Sequence, residues 1–110
     1  MKNLHAWIKY LGLKKPVNIR IINRKNKWAD ADYEAEYSDR TGKLKEHLIT
    51  IYYKDNCRDF DTLVAHELIH AWQEENKKAE THGKYFIKYA RKMEKEFGLR
   101  EIYLPDVDEE

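Results

Sequence analysis

His66-Glu67-Leu68-Ile69-His70-Ala71-Trp72-Gln73 is the stretch on which the reading of this chain turns. Phe60, Val64, Leu68 and Ala71 or Trp72 recur at three or four positions around it. This spacing predicts a helix from Phe60 to about Asn76, with Asp59 or Asp61 placed to cap its first turn. On a helix, residues four apart stand one above the other on the same face. His66 and His70 can therefore aim two imidazoles at one point, as a tetrahedral zinc ion requires of two of its ligands. Glu67 is rotated by about 100° from His66, so it can reach a water at such an ion without ligating it. His-Glu-x-x-His arises in roughly 2% of shuffles of this composition. Its position on an apolar-striped helix is what raises it above coincidence.

A catalytic zinc needs a third protein ligand and keeps a fourth position for water. His82 is the preferred candidate. It follows His70 by twelve residues, at the expected first turn of a second helix that can fold back, and Gly83 beside it permits close approach. His47, His5, Glu74 and Glu80 are the rivals. Three imidazoles suit Zn²⁺, and also copper, nickel or iron.

Outward from the motif, the pattern changes on both sides. Leu4, Trp7, Ile8 and Leu11 predict an amphipathic helix over 3–13, closed by Gly12 and Pro16. Val17, Ile19 and Ile21 alternate with Asn18 and Arg20, a half-buried strand over 17–23. In 29–37, Ala29, Ala31, Tyr33, Ala35 and Tyr37 face one way and Asp30, Asp32, Glu34 and Glu36 the other, a strand with one wet face. Residues 38–43 are turn chemistry around Gly42, and 45–53 form a third strand rich in β-branched and aromatic residues. Short links predict an antiparallel meander. Beyond the motif, Thr81 is a candidate cap, and Phe86, Ala90, Met93 and Phe97 form a stripe that ends at Gly98. Glu101–Leu104 reads as a short extended segment, and 106–110 as a frayed acidic tail. The expectation is one α+β domain over 1–105: a helix, a three-stranded antiparallel sheet, then two helices carrying the metal site.

With 110 residues, 42% of them hydrophobic and 13% aromatic, the chain suits one modest core and excludes a disordered class. A single cysteine, Cys57, excludes a disulfide framework or a Cys-rich zinc ribbon and reads as an ordinary packed thiol. No apolar run approaches the roughly 18 residues of a membrane span, and the basic N-terminus, broken by His5, Lys9 and Tyr10, does not read as a secretory signal. A monomer in a reducing cytoplasm, or in a host cell's if the chain is viral, is expected. Residues 1–29 hold eight Lys and Arg and no acid, against a balance of −7 in the rest. That asymmetry allows a DNA-facing surface, with Trp7 and Trp28 to stack bases, although a solvated helix and turn explain it more simply.

His66-Glu67-Leu68-Ile69-His70, followed by His82-Gly83 and Phe86, resembles the SprT-like zinc metallopeptidase domain, the zincin-like domain that includes the Spartan proteases acting on DNA–protein crosslinks. The resemblance covers most of the chain, because the order of elements is also that domain's. It implies that His66, His70 and His82 bind zinc, that Glu67 is the catalytic acid/base, and that Phe86 packs. The chain departs from many SprT-like proteins in lacking a Cys-rich zinc segment after the protease core, and its spacer from His70 to His82 is short. It would be a minimal version, of the kind a phage or mobile element could carry. The expected activity is zinc-dependent cleavage of a polypeptide, with Tyr85 or Tyr89 as candidate oxyanion donors whose simpler role is packing. The alternatives are a DNA-binding module with a structural or vestigial zinc, and an inhibitory or structural protein with an unused site.

Overall fold

The computed structural model describes residues 3–23, 31–52, 59–78 and 81–103. It contains helix α1 (Leu4–Leu11), strands β1 (Val17–Ile22), β2 (Ala31–Tyr37) and β3 (Leu44–Tyr52), and helices α2 (Phe60–Glu75) and α3 (Lys84–Phe97). This is the expected α+β order. Gly12 and Gly98, at φ 67° and 70°, end α1 and α3 in the left-handed conformation that a residue without Cβ adopts most readily. Asp59 stands at the N-cap of α2. Gly83, not Thr81, stands at that of α3, so His82 lies in the turn before the helix rather than in its first turn. Of the expected extended segment Glu101–Leu104, residues 101–103 form no strand, because Glu101 takes a positive φ of 58°, and Leu104 lies outside the described residues. The tail 106–110 lies outside the described residues.

The sheet corrects one expectation. Its order is β1-β3-β2, with β2 antiparallel to β3 but β1 parallel to it, in place of an all-antiparallel meander. The reason lies in the strands' own residues. In β3, His47, Ile49, Thr50, Ile51 and Tyr52 are all buried, and a strand buried on both faces belongs at a sheet centre. β2 carries Asp32, Glu34 and Glu36, charges that suit an edge. β1 therefore takes the other side of β3. The chain through β2 acts as the crossover that a parallel pair needs. Val17 stands opposite His47, and Ala35 stands opposite the same residue from the other side.

Ala31, Ile49 and Ile51, from one face of the sheet, join Leu63, Val64, Leu68 and Ile69 of α2, with Trp7, Phe86, Ala90, Met93 and Ile102, in one buried cluster. Because α2 packs against β2, β3, α1 and α3, every residue from Thr62 to Ile69 is buried, a wider buried surface than the predicted stripe. Among the described residues, no helix is long and apolar enough to cross a membrane.

Candidate metal centre

His66, His70 and His82 converge. One ring nitrogen from each lies within 4.8 Å of the others. His66 and His70 come from successive turns of α2, and His82 from the turn that brings α3 back against it. The ring centroids are 5.0 Å (His66–His70), 5.1 Å (His66–His82) and 5.2 Å (His70–His82) apart. Phe86, fully buried one turn into α3, touches all three imidazoles at 4.7–4.8 Å. Packing is thus its role, as expected.

The outer nitrogens of the α2 pair are engaged. His66 Nδ1–H donates to the Ile102 carbonyl at 2.6 Å, and His70 Nδ1–H to Gln73 Oε1 at 2.8 Å. A neutral imidazole carries one N–H, so both rings turn an Nε2 lone pair inward. His66 Nε2 lies 3.3 Å from His82 Nε2. A tetrahedral ion with nitrogen ligands at about 2.0–2.1 Å spaces them about 3.3–3.4 Å apart. Donor type, the His66 and His70 tautomers and the His66–His82 spacing fit zinc. They fit a copper, nickel or iron ion by donor type as well.

Glu67 is 1% exposed, yet with His70 it helps to wall a groove of about 640 Å³ between β2 and α2. Asp32, Tyr33, Gln73, Glu74, Lys77, Lys78 and Thr81 complete the lining. The edge strand β2 flanks this groove, and its outer side has no strand partner among the described residues.

The rival ligands go elsewhere. His47, fully buried on β3, places Nε2 at 2.7 Å from Glu75 and Nδ1 at 2.7 Å from the Tyr33 hydroxyl. Glu75 also accepts the backbone N–H groups of Lys14 and Lys15. Burial pushes its carboxyl up, but the His47 and backbone hydrogen bonds outweigh burial and leave it below the ordinary value. An ionised Glu75 makes His47 Nε2 the donor of that contact, and Nδ1 shares a hydrogen bond with the Tyr33 hydroxyl. Tyr33 itself is pushed upward by burial and then by Glu74 and Glu75. Glu74 accepts the Tyr37 hydroxyl, His5 is exposed on α1, and Glu80 lies outside the described residues.

Trp7, Tyr85 and Tyr89 take the simpler of their two expected roles, packing. Trp7 is fully buried and cannot stack a base, and Trp28 lies outside the described residues. Tyr85 and Tyr89 pack on Trp72 at 6.1 and 4.4 Å rather than on the histidines. Sequence reasoning missed Tyr33, the edge-strand residue that lines the groove. It also missed Gln73, although a polar residue three positions after a candidate ligand on the same helix face was a usable signal. The Ile102 carbonyl left no signal, since any residue offers one. The chain matches no protein-family model, no curated protein and no solved structure.

Proposed function

We propose that this chain is a zinc-dependent endopeptidase of SprT-like type, with His66, His70 and His82 as ligands and Glu67 as acid/base. The observation that carries the reading is the convergence of three imidazoles on one point beside a buried carboxylate in an open groove. Zinc bound there would polarise both water and the scissile carbonyl. Glu67 would take a proton from the attacking water and return it to the departing amine, so that one side chain serves as base and then as acid. Gln73 and the Ile102 carbonyl keep the His70 and His66 rings in the tautomer that ligation needs. β2 supplies an edge to which a substrate strand can add through main-chain hydrogen bonds, which favours unfolded or extended polypeptides over a particular sequence. The test is cleavage of an unfolded protein, free or DNA-linked, by zinc-loaded wild type and Glu67→Gln. Loss of cleavage with zinc still bound is expected. Equal rates would remove Glu67 from the mechanism.

A second reading is DNA binding without cleavage, for which the described residues offer a group of cations and rings on α3 and the turn before it. Lys78 and Lys84 lie 4.6 and 5.3 Å from the Tyr85 ring and Lys92 5.5 Å from that of Tyr89, beside Trp72. Cations interleaved with half-exposed rings are what single strands bind. A steep salt dependence of oligonucleotide affinity, with no proteolysis, would favour that reading.

A further inference from the structure

The segment after α3 lies against the histidine cluster without forming a helix or strand. Two left-handed residues, Gly98 at φ 70° and Glu101 at φ 58°, turn the chain back. Its backbone is then tied at four points. The Arg100 carbonyl accepts Thr62 Oγ1–H at 2.9 Å, and the Ile102 N–H donates to Glu94 Oε2 at 3.0 Å. The Ile102 carbonyl accepts His66 Nδ1–H at 2.6 Å, and the Tyr103 carbonyl accepts Arg91 Nη2 at 3.4 Å. Arg91 Nη1 reaches both oxygens of Glu94 at 2.9 Å. The Ile102 side chain is fully buried, and the Tyr103 ring lies 5.0 Å from that of His82.

We infer that residues 100–103 are a strap that holds His66 as its Nδ1–H tautomer, and that the Arg91–Glu94 pair on α3 is the clasp that holds the strap. The consequence for metal affinity rests on the zinc reading; the tautomer itself does not. A carbonyl can direct an imidazole only if its own peptide is fixed. Here Glu94 grips the N–H of the same residue whose carbonyl faces His66. Arg91 grips both the Glu94 carboxylate and the next carbonyl along. Half-exposed Arg91 adds little as a surface ion pair; its part is to aim the carboxylate. Glu94 and Arg91 are positioning residues, two contacts removed from the cluster. Hydrogen-bond partners of ligating histidines alter metal affinity by about 10–100-fold when removed.

The experiment uses the full chain, ¹⁵N-labelled, as wild type, Glu94→Ala, Glu94→Gln and, as control on the same helix, Glu96→Ala. Long-range ¹H–¹⁵N correlation of the metal-free protein reads the His66 tautomer. Competition with a chromogenic chelator reads Zn²⁺ affinity. Wild type and Glu96→Ala are expected to hold His66 as Nδ1–H. Glu94→Ala should mix the tautomers and weaken zinc by up to about 10-fold, the low end of what loss of a direct partner costs. Glu94→Gln, whose amide oxygen can still accept the Ile102 N–H, should recover most of both. A folded Glu94→Ala with tautomer and affinity unchanged overturns the strap. Wild type that binds no zinc, but whose tautomer still follows Glu94, keeps the strap and removes the metal reading. If Glu94→Ala does not fold, Arg91→Ala should mix the tautomers partially, and an unaltered His66 in that variant overturns the clasp.

Discussion

His47 on the central strand and Glu75 in the last turn of α2 meet at 2.7 Å, and Glu75 extends the contact to the Lys14 and Lys15 N–H groups after α1. One carboxylate thus ties three elements together. Its pKa is lowered in the fold, so its contribution is complete above the ordinary carboxyl value of 4.5 and is lost as pH falls through the folded value. Glu75→Gln should cost about 1–3 kcal/mol at pH 7. Urea unfolding across the acid range should show the gap to wild type closing below pH 4.5.

Tyr33→Phe removes the hydroxyl from His47 Nδ1 and leaves a buried ring nitrogen without that partner. A loss of about 1–3 kcal/mol is expected at neutral pH. The raised Tyr33 pKa carries the opposite sign from Glu75. Stability is whole below the ordinary tyrosine value of 10.0 and declines as pH rises above it, because the unfolded chain ionises first. That alkaline decline should be shallower in Tyr33→Phe, measured by thermal melts between pH 9 and about 11.

Phe86 is the shared wall of the three imidazoles. Phe86→Ala should destabilise by about 3–5 kcal/mol in guanidinium unfolding, since it removes a fully buried ring. Phe86→Leu should keep most of the stability. It should still broaden the histidine ring signals, because a smaller side chain leaves the rings room to rotate.

Zinc should raise the melting temperature of the wild type. Binding at a hundredfold excess over Kd adds about 2.7 kcal/mol. His82→Ala should lose most of that shift while melting normally without metal, because His82 is only partly buried and lies outside α3. An equal zinc shift in His82→Ala would exclude His82 as a ligand.

Gly98→Ala should cost about 1–2 kcal/mol in thermal unfolding. A Cβ there meets nothing within 4 Å, so the cost is that of the left-handed backbone alone.

The element order and the histidine cluster were both legible in the chain, and for the same reason. Helical spacing puts His66 and His70 on one face, and a helix that folds back returns His82 to it. The sheet was legible strand by strand but not in its order. Period-two alternation reports which face is wet, not which neighbour pairs, so β1 looked like the start of a meander. The sign that β3 is central lay in its two-sided apolar content, with Leu48, Thr50 and Tyr52 alternating against His47, Ile49 and Ile51. His47 has a ligand's chemistry but not a ligand's place. Its real partners, Tyr33 and Glu75, stand on β2 and α2, and no local spacing connects them. The Ile102 contact was invisible because it uses backbone atoms of an irregular segment.

The parallel pairing of β1 with β3 also orders events in time. β2 and β3 can zip from a short turn, a hairpin step that takes microseconds. Val17 must find His47 about thirty residues further on, and it gains hydrogen bonds only once β3 is laid out beside it. Pairing of the first strand is therefore the most non-local step in building the sheet, and the one expected to come last.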